Sequence, residues 1–165
     1  MKEYYLAYGS NLNLKQMKYR CKTAIPIGTT ILHDYRLVYK GSCDKLSYLT
    51  IEKNEGSYVP LGIYEITSLD KLPLDIYEGY PNLYHKEYVD IKIDGKIEKA
   101  LIYIMNDEFN YYTPSNKYIE TCIQGYKDFG FDKKLLNEAL KYSIKNKPKK
   151  KRLIELNPKS WTVYK

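Results

Sequence analysis

The sequence predicts an α+β domain in which a small, mixed, mostly antiparallel β-barrel, or a strongly curled sheet, carries flanking helices. Segments rich in β-branched and aromatic residues follow one another through most of the chain, which favours strands. After about residue 115 the apolar residues take up a helical spacing instead. With 165 residues and 44% hydrophobic side chains, the chain is long enough to bury one self-sufficient core.

The N-terminal half begins with strand and cap signals. Residues 4–8 read as a short buried strand, and Asn11 or Asn13 is suited to cap a helix over 14–20. Three further strand-like segments follow, at 27–40, 46–51 and 58–66. Pro60 lies inside the last of them and indicates an edge or a bulge.

The middle of the chain predicts helical turns and then a hairpin. Ser68 is a plausible cap for the segment 68–79, Pro73 is expected to split it into two short turns, and Gly79 ends the second. The following strand alternates, and Asp94-Gly95 has the composition of a tight hairpin turn before a return strand at 97–105. The side chains expected to face inward on the first strand are Val89, Ile91 and Ile93.

Two helices are predicted to close the domain. The first starts at Ser115 and ends at Gly130, and the second is capped by Asp132. The inward stripe of the first is Tyr118, Ile119, Cys122, Ile123 and Tyr126. The inward residues of the second are Leu135, Leu136, Ala139 and Leu140.

The positive charge is concentrated near the C-terminus. Residues 141–152 carry seven basic side chains and no acidic one, whereas residues 1–140 hold 18 basic and 19 acidic groups. We therefore divide the chain into a domain at 1–142 and a basic extension at 143–165. Such a run can contact nucleic acid, but a solvated extension is the more common role, so a nucleic-acid partner is not expected.

Composition also bears on location and cofactors. No apolar run reaches the roughly 20 residues of a membrane span, and no signal-peptide pattern follows Met1, so a cytoplasmic protein without membrane contact is expected. Cys21, Cys43 and Cys122 match neither a disulfide framework nor a zinc pattern, and His33 and His85 add no ligand spacing. Neither a metal nor another cofactor is predicted.

The stretch "YYLAYGSNLN", residues 4–13, is the first candidate for a site. A strand ends at a Gly-Ser-Asn turn and the chain passes directly into a helix. Unpaired main-chain N–H groups at such a junction can bind an anion. The same junction can equally be a plain connection, and the local sequence leaves both readings open.

Three segments, in this order, together resemble one family. "YLAYGSNLNLKQMKYRC" resembles the opening of γ-glutamylcyclotransferases, "LDIYEGYPNLYHKEYV" their acidic-residue segment, and "PSNKYIETCIQGYKDFG" their final helix. The resemblance covers about residues 3–132, and the extension has no counterpart in it. "YGSN" is more similar to the branch that acts on γ-glutamyl amino acids than to the γ-glutamylamine branch.

The resemblance implies a cofactor-free enzyme of the lyase or acyltransferase type. It would convert a γ-glutamyl amino acid or related small γ-glutamyl amide to 5-oxoproline and a free amine. By position in the motifs, Glu78 would be the catalytic acid/base. The residues implied to bind substrate are Tyr5, Leu6, Ala7, Tyr8, Gly9, Ser10 and Tyr118.

The chemistry makes these roles reasonable. The substrate's own α-amine attacks its γ-carbonyl, so the protein must hold a folded-back conformer and move protons. A carboxyl does this best with a pKa raised towards neutrality, and the neighbours Ile76, Tyr77 and Tyr80 could provide an apolar setting. Without the resemblance, Glu78 would be read as an ordinary exposed carboxylate at a helix end.

Other side chains near the motifs have structural interpretations. Tyr118 alone would be read as a core tyrosine, and Tyr84 and Tyr88 are expected to pack in the barrel.

Two alternatives remain open at this stage. A pathway-specific enzyme could remove a γ-glutamyl group from a biosynthetic amine, with selectivity in the loop 106–114. A non-catalytic binding module whose basic tail binds nucleic acid is the second alternative. A small γ-glutamyl compound is the expected partner, and a homodimer is compatible with the sequence.

Overall fold

A computed structural model of the protein describes residues 1–150, so most of the predicted C-terminal extension lies outside the described residues. Within that range the chain forms six strands and four α-helices. In order they are β1 Glu3–Ala7, α1 Leu14–Arg20, β2 Ile25–Cys43, β3 Leu46–Ile66, α2 Ser68–Glu78, β4 Tyr84–Ile93, β5 Lys96–Met105, β6 Asn110–Tyr111, α3 Asn116–Phe129 and α4 Lys134–Lys145. A short 3₁₀ turn, Ser10–Leu12, joins β1 to α1.

The strands form one curled, half-barrel sheet, which confirms the predicted α+β class. Their order is β4-β5-β1-β3-β2-β6. Every neighbouring pair is antiparallel except β1 and β5, which run parallel. The first strand is therefore an interior strand, and the turn that follows it leaves the sheet between two paired neighbours.

The prediction of separate strands at 46–51 and 58–66 was wrong, because both belong to the single long strand β3. Glu52 and Lys53 still pair with β2, whereas residues 54–57 stand opposite the single residue Asp34, where the register shifts between His33 and Tyr35. Asp34 there has φ 62°, and Gly56 opposite has φ 81°. The turn-forming residues thus make a bulge instead of a chain reversal.

Pro60 fits the strand because of where the neighbouring strand stops. It pairs with Ile31 of β2 on one side, while the pairing of β1 with the other side begins only at Gly62. A residue without an N–H is tolerated at such a locally unpaired edge.

The prediction that Pro73 splits the following segment was also wrong, since α2 is continuous from Ser68 to Glu78. Its cap is Thr67 instead of Ser68, and Thr67 and Asp70 form a reciprocal capping box. This cap secures the first turn and offsets the one hydrogen bond that Pro73 cannot donate. Gly79 ends the helix in the left-handed conformation, as predicted.

Asn13 caps α1, Ser115 caps α3 and Gly130 ends α3, as predicted. The cap position of α4 is Lys133 instead of the predicted Asp132, although the Asp132 carboxylate accepts a hydrogen bond from the N–H of Lys134. Asp94 and Gly95 both have positive φ in the hairpin turn. Cys21 and Cys122 are buried and Cys43 is exposed, all as free thiols. No helix within residues 1–150 is both long enough and apolar enough to span a bilayer.

Helix α3 lies directly on the 3₁₀ turn, and Gly125 permits that approach. A Cβ at this position would lie 2.6 Å from the main-chain N of Asn13 and 2.7 Å from the carbonyl carbon of Leu12. Main-chain atoms cannot rotate away as a flexible side chain can. The position of the turn that follows β1 is therefore set by helix–backbone contact.

We expect Gly125→Ala to destabilise the protein although alanine is the better helix former. Overpacking of this kind costs typically about 1–3 kcal/mol, against a gain in helix propensity of up to about 1 kcal/mol. The net loss should lower the Tm by roughly 2–6 °C for a domain of this size. Glu120→Ala on the exposed side of the same helix is the matched control and should leave the Tm nearly unchanged. An unchanged Tm in Gly125→Ala, measured by thermal unfolding, would contradict the assigned contact.

Candidate active site

A small recess lies at the end of β1, between the 3₁₀ turn, the end of α2 and the start of α3. Most of the site residues predicted from the sequence line it, namely Tyr5, Leu6, Tyr8, Gly9, Ser10, Glu78 and Tyr118. Ala7 does not line it and is 1% exposed in the core. The structure adds Asn11, Leu49, Tyr84 and Tyr103 to the lining.

Glu78 enters the recess from the last residue of α2 and remains partly accessible to solvent. Its Oε1 accepts a hydrogen bond of 3.0 Å from Nδ2 of Asn11. The same nitrogen lies 2.8 Å from the hydroxyl oxygen of Tyr5. The carboxyl is thus fixed by the turn that follows β1.

The Asn11 amide is oriented from behind by Arg20, the last residue of α1. The Arg20 guanidinium donates to Oδ1 of Asn11, which leaves Nδ2 to face the carboxyl. The guanidinium also lies 3.2 Å from the centre of the Tyr77 ring. Arg20, Asn11 and Glu78 therefore form a connected row of polar groups.

Burial raises the pKa of Glu78 from 4.5 to about 7, because enclosure disfavours the charged form. The positive charge of Arg20 and the hydroxyl of Tyr5 act in the opposite direction. The expected source of the enclosure was partly wrong. Ile76 and Tyr80 are 72% and 41% exposed, and the groups that surround the carboxyl come mainly from distant segments of the chain.

The turn at Gly9 contributes three residues to the lining of the recess. The N–H groups of Gly9, Ser10 and Asn11 have no main-chain or side-chain acceptor among residues 1–150, although all three residues line the recess. A Cβ on Gly9 would stand 3.3 Å from the Tyr118 hydroxyl, so glycine keeps this approach open. Groups of this kind can bind a carboxylate or a developing oxyanion.

Two tyrosine hydroxyls are held by the same residue on β3. Tyr118 accepts from the N–H of Leu49 at 3.0 Å, and Tyr84 donates to the carbonyl of Leu49 at 2.6 Å. Tyr84 is buried as predicted, and it also lines the recess. Tyr88 is 56% exposed, so its predicted packing in the barrel was wrong. Both hydroxyls at Leu49 are therefore fixed in position.

The recess continues into a larger outer cavity. The inner recess measures about 20 Å³, room for one water-sized group, whereas the outer cavity measures about 240 Å³. The residues that line both are Ser10, Glu78, Tyr84 and Tyr118. Glu78 thus borders both spaces, and the outer cavity is the one with room for a ligand larger than water.

Sequence reasoning missed Asn11 and Arg20. Asn11 was considered only as a helix cap, but Asn13 takes that role and leaves the Asn11 side chain for Glu78. The signal available in the sequence was that Asn11 precedes the capping residue Asn13 by two positions, so one of the two asparagines was not needed as a cap. Nothing in the sequence marked Arg20, whose contacts depend on the fold.

Comparison with known proteins agrees with this geometry. A model of the family described as γ-glutamyl cyclotransferase, AIG2-like, matches residues 5–122, which is most of the chain and includes every residue of the row from Arg20 to Glu78. The chain belongs to this family. A search of curated protein sequences found no significant match.

Solved structures show the same fold as this AIG2-like chain. A protein described as γ-glutamyl cyclotransferase is 22% identical with a TM-score of 0.67, over 92% of each chain. A human protein described as uncharacterized is 23% identical with a TM-score of 0.67, over 87% of this chain and 85% of its own. A yeast protein described as a γ-glutamyl cyclotransferase specific to glutathione is 11% identical with a TM-score of 0.54, over 87% of this chain and 100% of its own.

The raised pKa of Glu78 predicts a pH-dependent effect of Glu78→Gln on stability. The folded state holds the Glu78 proton more tightly than the unfolded state does. The stability that protonated Glu78 contributes is therefore fully present below pH 4.5 and is lost as the pH rises to about 7. At pH 8 the variant, which has no charge to bury, should be more stable than the parent by on the order of 2 kcal/mol. At pH 4 the two should be nearly equal.

Urea unfolding at both pH values measures this difference. A gap between variant and parent that does not change with pH would contradict the raised pKa.

Proposed function

We propose that the protein is a γ-glutamylcyclotransferase that converts a γ-glutamyl amino acid or related small γ-glutamyl amide to 5-oxoproline and a free amine. Glu78 is the acid/base in this proposal. The observation that carries it is the Glu78 carboxyl with its pKa raised to about 7, in a recess also lined by Gly9, Ser10 and Asn11, whose main-chain N–H groups have no acceptor within residues 1–150. Membership of the γ-glutamyl cyclotransferase, AIG2-like family supports the reaction class.

The proton movements explain why one carboxyl is enough. The Glu78 carboxylate accepts a proton from the α-ammonium, and the resulting amine attacks the γ-carbonyl of the same molecule. Glu78 then donates this proton to the departing nitrogen as the C–N bond breaks. The attacking nitrogen still carries one proton too many for the ring amide, and Glu78 takes this second proton and passes it to the released amine. Over the whole reaction two protons leave the α-nitrogen and the departing amine gains two. A pKa near 7 suits both accepting and donating.

The turn after β1 is suited to the charges of this substrate. A γ-glutamyl group keeps its α-carboxylate, and ring closure places negative charge on the γ-oxygen. The N–H groups of Gly9, Ser10 and Asn11 can serve one or both of these oxygen positions. The Ser10 hydroxyl is 2.7 Å from that of Tyr77, which fixes it at the mouth of the recess.

Glu78→Gln should reduce kcat/KM for 5-oxoproline formation by at least about 10²-fold, because the amide can neither accept nor donate the required proton. The measurement is 5-oxoproline release from a panel of γ-glutamyl dipeptides and γ-glutamyl amines. In the parent, kcat/KM should rise as the pH passes through about 7, where Glu78 ionises.

Glu120→Gln, which alters an exposed carboxyl on α3, is the control and should retain full activity. Parent-like turnover in Glu78→Gln would remove Glu78 from the mechanism.

Tyr118→Phe should affect both binding and stability. Its hydroxyl stands beside Gly9 in the recess, so its loss should raise KM or lower kcat, by roughly 10-fold. The hydroxyl is also the acceptor for the Leu49 N–H, so unfolding free energy should fall by about 1–3 kcal/mol. Kinetics at a temperature well below the Tm separate the two effects. A lower Tm with unchanged kinetics would restrict Tyr118 to a structural role.

A further inference from the structure

Arg20 is connected to Glu78 only from behind the site. It lines neither the inner recess nor the outer cavity. Its guanidinium donates to Oδ1 of Asn11, and Nδ2 of the same amide donates to Oε1 of Glu78 at 3.0 Å. Arg20 therefore does not touch a ligand in either space, and it acts on the carboxyl through the Asn11 amide and through its charge.

The chemistry of the guanidinium decides which way the Asn11 amide faces. A guanidinium has N–H donors and no acceptor, so the amide atom that it meets must be the oxygen. The amide nitrogen then faces Glu78 and the hydroxyl oxygen of Tyr5. Without Arg20 the amide is free to turn over and set its oxygen against the Glu78 carboxylate, which favours the protonated carboxyl. The donor that Glu78 receives thus depends on Arg20.

Both members of this relay are held in fixed positions. The Arg20 guanidinium lies 3.2 Å from the centre of the Tyr77 ring, and the Tyr77 hydroxyl is 2.7 Å from that of Ser10. Asn11 is 3% exposed, and its main-chain carbonyl accepts a hydrogen bond of 2.8 Å from Tyr64. The amide is therefore preorganised to donate to Glu78 before a substrate arrives.

The electrostatics single out the same residue. Burial raises the pKa of Glu78, and within residues 1–150 Arg20 is the one charged group that opposes this effect. The other titratable groups that face Glu78 or line the recess with it are neutral near pH 7, because burial raises the pKa of each. They are Tyr5 and Tyr8 on β1, Cys21 after α1, Tyr77 on α2, Tyr84 on β4, Tyr103 on β5 and Tyr118 on α3.

We propose that Arg20 is a positioning residue for the reaction, and that it acts through the Asn11 amide to hold the Glu78 carboxylate in the fixed, ionised state that accepts the substrate's proton. This inference rests on the proposed function. Asn11 transmits the orientation, and the charge of Arg20 offsets part of the cost of ionising an enclosed carboxyl.

Arg20→Met removes the charge and the guanidinium donors and keeps an unbranched side chain. The pH at which kcat/KM for 5-oxoproline formation rises should move upward from about 7 in the parent, by about 1 unit, because ionised Glu78 loses an attractive charge and a reliable donor. At pH 8.5 kcat/KM should be about 10-fold below that of the parent, because the carboxylate is less well placed. At pH 6 the loss should be about 100-fold, because less of the carboxyl is ionised as well.

A ¹³C NMR titration of the Glu78 carboxyl should show the same upward shift without relying on turnover. Lys18→Met is the matched control, because it removes the same charge from an exposed position on the same helix, and it should leave both the titration and kcat/KM unchanged. Arg20→Lys keeps the charge without the planar fork and should lie between the parent and Arg20→Met. It carries the test if Arg20→Met does not fold.

A double-mutant cycle with Asn11→Leu tests the relay itself. Leucine is close to asparagine in size and cannot pass on a hydrogen bond. In the Asn11→Leu background, adding Arg20→Met should lower kcat/KM at pH 8.5 by less than about 2-fold, because the connection to Glu78 is already broken. A further loss of about 10-fold there would show that Arg20 does not act through Asn11, and would overturn the inference.

The remaining outcomes separate this inference from the proposed function. An active parent whose pH profile and Glu78 titration are unmoved by Arg20→Met, even with a lower Tm, restricts Arg20 to a structural role and overturns the inference alone. The same holds if Lys18→Met shifts them as far, or if Arg20→Lys recovers nothing. A parent that releases no 5-oxoproline from any γ-glutamyl dipeptide or amine overturns the proposed function and this inference together.

Discussion

The Glu78 carboxyl is enclosed beside the Asn11 amide, and the surrounding elements must stabilise the fold against the cost of enclosing it. A carboxyl whose pKa is raised to about 7 is costly to hold ionised, so the segment that carries it must be anchored by other contacts. Helix α2 has such anchors in the capping box at Thr67 and in Leu74, which is fully buried. The helix then ends at Gly79, which leaves Glu78 as its last residue. Local stability of α2 thus supports an unfavourable group at its end.

The tyrosine-rich core is consistent with a polar recess inside a small domain. Buried rings exclude water, while their hydroxyls need partners. These hydroxyls bond mostly to main-chain carbonyls, with Tyr8 donating to Tyr103, Tyr64 to Asn11, Tyr84 to Leu49 and Tyr126 to Tyr8. Within residues 1–150, no buried side-chain nitrogen or oxygen lacks a hydrogen-bond partner. The recess is therefore lined by fixed groups, which is the preorganisation that an electrostatic site requires.

The topology explains why the site forms where it does. Strand β1 lies inside the sheet, parallel to β5 and antiparallel to β3, so its C-terminal turn emerges above paired strands. Helix α3 then presses on that turn through Gly125, and α2 approaches from the other side with Glu78. The inner recess and the outer cavity share lining residues from these three elements and from β4.

The sequence alone determined the elements that depend on local chemistry. The caps at Asn13 and Ser115, the Asp94-Gly95 turn and the ends at Gly79 and Gly130 follow from side-chain hydrogen bonds and backbone conformations that a few neighbouring residues decide. The family and Glu78 could also be found, because their motifs are contiguous. Tertiary structure decided the union of two predicted strands into β3, the continuity of α2 through Pro73, and the partners of Glu78. Arg20 and the wall of the outer cavity were out of reach for the same physical reason: burial, charge pairing and cavity shape arise from residues that are distant in the chain and meet only when the sheet curls.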